Sequence, residues 1–116
     1  MKILIVNDSE TIQETIGAMI TRTGHETEFA SDGNEALRKY RDHGPYDLVL
    51  SDVDHPGPDG LELLHTILQQ NPSQQVGFVA SVHGLPRSGL LAAVPLLRIP
   101  FERTQLLEFV SSFNPR

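Results

Sequence analysis

Apolar residues recur along this chain in two rhythms, as short unbroken runs and as stripes that return every three or four positions. Ile3-Leu4-Ile5-Val6 is an unbroken run rich in β-branched side chains, the pattern of a strand buried on both faces. It ends at Asn7-Asp8. Ser9 is then placed to cap a helix with Ile12, Ile16, Met19 and Ile20 on one face, stopping near Gly24. Glu26 to Ala30 alternates as a second strand closed by Ser31-Asp32-Gly33, and Ala36, Leu37 and Tyr40 mark a second helix. Tyr46 to Ser51 predicts the third strand. From Gly60, the residues Leu61, Leu64, Ile67 and Leu68 trace a third helix that Asn71-Pro72 terminates. Val76 to Val79 predicts a fourth strand, and Leu85 to Ala93 a fourth helix that holds Pro86 and Gly89 inside it. Val94 to Ile99 predicts a fifth strand, placed at a sheet edge by Pro95, and Glu102 to Phe113 the last helix.

Strands alternating with helices at this spacing, without internal repeat or low-complexity linker, predict five β-α units. The expected class is α/β, a single doubly wound five-stranded parallel sheet covered on both faces. A chain of 116 residues fits one compact domain, expected to span 1–116 with no output domain.

Composition narrows the function classes. Nine Lys+Arg against 15 Asp+Glu leave a formal charge of -6 with no basic cluster, a field that repels a phosphate backbone, so no nucleic-acid partner is expected. No stretch approaches the roughly 20 apolar residues of a membrane helix, and the first apolar run is too short for a signal peptide. A cytoplasmic address is the expectation. The absence of cysteine removes disulfides, thiolate metal sites and cysteine nucleophiles together.

The chemistry points to the ends of the first and third strands. Leu48-Val49-Leu50-Ser51-Asp52 carries an apolar run onto an acid, followed by Val53-Asp54-His55-Pro56-Gly57-Pro58-Asp59-Gly60. Right-handed crossovers bring the carboxyl ends of these strands together near the switch point of a doubly wound sheet, making Asp8 and Asp52 neighbours. Two close carboxylates repel unless a cation intervenes, and all-oxygen ligation with open water positions suits Mg²⁺. Asp59 belongs to the turn and helix start before Gly60. His25, His43, His55, His65 and His83 lack paired ligand spacing and read as separate surface or loop positions. Asp52-Val53-Asp54 also has the form of a DxD phosphatase nucleophile, but the motif follows the third strand and the chain is too short for the accompanying loops.

With these residues in place, the chain resembles the receiver domain of two-component response regulators, with the flavodoxin-like (βα)₅ architecture of the chemotaxis response regulator. The resemblance covers essentially the whole chain. It rests on Ile3-Leu4-Ile5-Val6-Asn7-Asp8, Asp32-Gly33-Asn34-Glu35-Ala36-Leu37, Asp47-Leu48-Val49-Leu50-Ser51-Asp52, Pro56-Gly57-Pro58-Asp59-Gly60 and Pro100-Phe101, in order. It implies that Asp52 is the phosphoacceptor, charged by a histidine kinase or phosphotransfer protein. It further implies that Asp8, Asp52 and the backbone carbonyl of Asp54 hold Mg²⁺, and that the Ile99-Pro100 bond is cis.

Departures from the family pattern converge on one relay. Asn7 stands where the family usually carries an acid, leaving an amide able to bond a metal-bound water. Ala80 takes the place of the hydroxyl residue that senses the phosphoryl group, Leu96 that of the switch aromatic, and Ile99 that of the lysine. Arg98 leaves the strand on the face opposite Ile99. The expected function is therefore a receiver domain in a phosphorelay, phosphorylated on Asp52 with Mg²⁺ assistance. It would act through a downstream protein target and do no enzyme chemistry beyond its own phosphorylation and dephosphorylation. The alternative is a pseudo-receiver, an interaction module independent of phosphate. The fourth helix, fifth strand and last helix form the expected docking or homodimer face.

Overall fold

The computed structural model describes residues 1–53, 59–80 and 89–113, with the side chain of Leu90 excepted. Its elements are β1 (Lys2–Val6), α1 (Glu10–Thr21), β2 (Glu26–Ala30), α2 (Gly33–His43), β3 (Leu48–Ser51), α3 (Gly60–Gln70), β4 (Val76–Ala80), a 3₁₀ turn (Gly89–Leu91), β5 (Leu96–Arg98) and α4 (Arg103–Ser111). The five strands form one sheet in the order β2-β1-β3-β4-β5, every pair parallel. This is the doubly wound α/β sheet expected from the alternation of periods.

Strand alternation sorts the core into two layers. Leu4, Val6, Val49, Phe78 and Ala80 pack on one face beneath α2, α3 and the 3₁₀ turn, joined by Tyr40, Leu64 and Ile67. Ile3, Ile5, Leu48, Leu50 and Val79 pack on the other with Ile16 and Ile20 of α1 and Leu106 and Val110 of α4. A residue's parity along its strand thus decides which helices it meets.

The caps follow the polar signals. Ser9 accepts from the Ile12 N–H at 3.3 Å, Asp32 from Glu35 at 2.7 Å and Asp59 from Glu62 at 2.9 Å, each satisfying a donor of the first turn. After α1, Gly24 turns the chain at φ +92°, a conformation L side chains rarely adopt. Glu102, expected inside the last helix, is its N-cap, in a reciprocal capping box with Gln105.

The fourth helix is the main correction. Of the expected Leu85 to Ala93, residues 85–88 lie outside the described region, and the remainder contains only the 3₁₀ turn. Gly89 has φ +58°, which an α-helix does not accommodate. The fifth strand is also shorter than Val94 to Ile99. It does lie at the sheet edge, where Pro95 lacks an N–H to donate but accepts from the Phe78 N–H at 2.9 Å. The Ile99-Pro100 bond is cis, as expected, and so is Gly44-Pro45, which was not anticipated.

Candidate phosphoacceptor site

Register assembles the site. Val6 of β1 pairs with Ser51 of β3, so Asn7 and Asp52 leave adjacent strands side by side, and the Asp52 N–H donates to the Val6 carbonyl at 2.9 Å. Asp52 is half-buried and Asp8 is exposed at the same end of the sheet. The first turns of α1 and α3 begin here too, and helix N-termini favour negative charge.

Both carboxylate oxygens of Asp52 are engaged. Oδ1 accepts from the Val53 N–H at 2.7 Å, and Oδ2 receives a long hydrogen bond from Asn7 Nδ2 at 3.4 Å. Asn7 is only 2% exposed. Its Oδ1 accepts from the Ser9 N–H at 2.9 Å, while its backbone carbonyl accepts from Gln13 Nε2 at 2.6 Å. Gln13, itself buried, donates also to the Ala30 carbonyl at 3.2 Å, tying α1 to the ends of β1 and β2. Below the acid, the Gly60 N–H donates to the Val53 carbonyl at 2.7 Å, bringing the start of α3 against the Asp52 backbone.

Asp8 and Asp52 are the carboxylates that could hold Mg²⁺ here, with Asp8 open to metal-bound water, while among the described residues no group of three or more acid or histidine side chains gathers for a metal. Asn7 does not present its amide oxygen to Asp52; that oxygen is held by Ser9, and the nitrogen faces the acid. Asp54, whose carbonyl the resemblance assigns to the metal, lies outside the described residues, as do His55 and His83. Asp59 serves the α3 cap, the structural role expected for it. His25 and His43 are engaged away from Asp8 and Asp52, bonded to the terminal amine and to Glu28.

The three replaced positions are all described. Ala80 is buried in the layer beneath α2 and α3, and Leu96 packs against the same layer. Ile99 packs on the opposite layer and lines an apolar groove of 210 Å³ with Ile12, Ile16, Met19 and Phe101. Arg98 is exposed, and strand parity turns it away from the face Ile99 takes. No ammonium therefore comes from position 99. Sequence reasoning missed Gln13, although a signal existed: it is a polar residue three before Ile16 and seven before Ile20, on the buried stripe of α1.

Comparison with known proteins places this fold in a family. Residues 3–88 match the profile of the response regulator receiver domain. The chain is similar to the chemotaxis protein CheY of Treponema pallidum, 29% identical over 116 residues, covering 96% of this chain and 81% of that protein. It is 32% identical to the transcriptional regulatory protein DltR of Streptococcus agalactiae over 92% of its own length, and spans 49% of that protein. Among solved structures, the response regulator TrrA of Thermotoga maritima, in complex with Mg²⁺ and BeF, superposes with a TM-score of 0.87 at 28% identity, covering 96% of each chain.

Proposed function

Because the chain belongs to the response regulator receiver domain family of two-component signalling, we propose that it is a cytoplasmic phosphorelay module whose phosphoacceptor is Asp52. The observation that carries this reading is the placement of Asp52 at the end of β3, its carboxylate held by the Val53 N–H and Asn7. A carboxylate oxygen attacks the phosphorus of a phosphohistidine or small phosphodonor, the P–N or P–O bond to the donor breaks, and an acyl phosphate forms on Asp52. Mg²⁺ held by Asp8 and Asp52 would neutralise the phosphoryl oxygens during that transfer. The N-termini of α1 and α3 add partial positive charge at the same place. The donor is a histidine kinase or phosphotransfer protein, and output passes to a protein target. Apart from this self-modification the chain is not an enzyme.

A second reading, the phosphate-independent pseudo-receiver, is favoured by Ala80 and Ile99. A buried methyl and an apolar chain stand where a hydroxyl and an ammonium would grip the phosphoryl group. The missing charge-assisted contact is worth about 1.5–3 kcal/mol.

Amide NMR spectra in Mg²⁺, before and after beryllofluoride, separate the two. Shifts at Asp8, Asp52 and Ala80 that vanish in Asp52→Asn support the acceptor. Their ending before Leu96 identifies a receiver whose relay is cut, and spectra unchanged at saturating beryllofluoride would establish the pseudo-receiver instead.

A further inference from the structure

We propose that Asn7 is the positioning residue of this site. Its buried amide is locked so that the nitrogen holds Asp52, leaving Asp8 and Asp52 as the carboxylates that meet Mg²⁺. This rests on the reading of Asp8 and Asp52 as the metal-assisted acceptor pair, and it assigns Asn7 a role different from that of a ligand or a water-binding amide.

The orientation follows from hydrogen-bond polarity. The Ser9 N–H, at 2.9 Å, is a donor and requires the amide oxygen. Rotating the amide would set its NH₂ against that N–H and its oxygen against the Asp52 carboxylate, two repulsive contacts in place of two attractive ones. The backbone cannot relax to permit this. The Asn7 N–H donates to the Ala30 carbonyl at 3.0 Å, and its own carbonyl is held by Gln13. At 2% exposure the Asn7 side chain is shielded from bulk solvent, so a lost bond is costly. The amide nitrogen cannot ligate a cation, but as a neutral donor it holds a carboxylate oxygen without any metal. An acid at position 7 would instead need a cation between itself and Asp52, since like charges at this separation repel in a half-buried setting. The single exchange of carboxylate for amide therefore trades metal affinity for a site that stays ordered when empty.

The test uses Mg²⁺ as the probe on the full chain, with Asn7→Asp, Asp52→Asn and the double variant. In EDTA, Asn7→Asp lowers the thermal midpoint by about 5 °C. Adding Asp52→Asn returns it to within about 2 °C, because one amide and one acid again face each other. By calorimetry, Asn7→Asp binds Mg²⁺ about tenfold more tightly than wild type. Unchanged stability in EDTA, no recovery in the double variant, or equal Mg²⁺ affinity would each overturn the assignment. A role in packing alone predicts no recovery and no change in affinity. In the wild-type spectrum, the Asn7 side-chain amide shifts on Asp52→Ala; an amide indifferent to that change also overturns it, even if Asn7→Asp does not fold. The EDTA measurements are independent of beryllofluoride, so loss of the acceptor reading is distinguishable from loss of this one.

Discussion

At Gly60 one hydrogen atom decides whether α3 can start beside the acceptor. A Cβ there would lie 2.0 Å from the Asp52 carbonyl oxygen and 2.8 Å from the Val53 Cα, both backbone atoms with no side-chain freedom to move aside. Gly60→Ala is expected to cost about 2–3 kcal/mol or more by forcing the start of α3 away from β3. Urea denaturation measures this, and a loss below about 0.5 kcal/mol would show that the junction yields. Asp52 and Asp8 were legible in the sequence because each follows an apolar run. Gln13 and the Asn7–Asp52 contact were not singled out, since a polar residue within an apolar stripe names a buried partner without saying which.

Among the described residues strand β2 lies at a sheet edge, paired with β1, and its acids Glu26 and Glu28 oppose further strand addition. Glu28 also fastens this edge to the rest of the molecule. Its Oε1 accepts from His43 Nδ1 at 2.9 Å and from the Tyr46 hydroxyl at 3.0 Å, and Lys2 Nζ lies 3.9 Å from Oε2. Burial works to raise the Glu28 carboxyl, but the hydrogen bonds from His43 and Tyr46, with the charges of His43 and Lys2, outweigh it and hold the group below its ordinary value of 4.5. Burial and the Glu28 carboxylate together push the Tyr46 hydroxyl upward. A carboxyl depressed on folding contributes stability that is complete above its unfolded value and is lost as pH falls through the lower folded value. Wild type should therefore exceed Glu28→Gln by about 0.5–1 kcal/mol at neutral pH. That margin should shrink as acid is added below 4.5, where the ordinary carboxyl protonates. Urea titrations across this range check it, and a margin independent of pH would assign the loss to packing. At this scale the α-helices and strands of the described residues were legible from period and turn signals. The expected fourth helix was not, because its apolar residues satisfied the helical period while Gly89 took a left-handed turn.

The molecule as a whole is held by two apolar layers that share the sheet as a common wall. Phe78, fully buried in β4, fills the layer beneath α2 and α3. Phe78→Ala is expected to lose about 3–5 kcal/mol, a large part of the total for a domain of this size. A shift in urea midpoint at unchanged slope would verify it, and a loss under about 1 kcal/mol would mean that the layer collapses around the gap. The sequence by itself determined the class of fold, the two faces of each strand and the sheet end at which the acids gather, because hydrophobic period reports the face a residue takes. Only the tertiary structure decided that Asn7 turns its nitrogen to Asp52, that Gln13 braces it, and that Ile99 is spent on an apolar groove. Those contacts depend on register between segments distant in the chain, and register is set by both packed layers together, not by any local pattern.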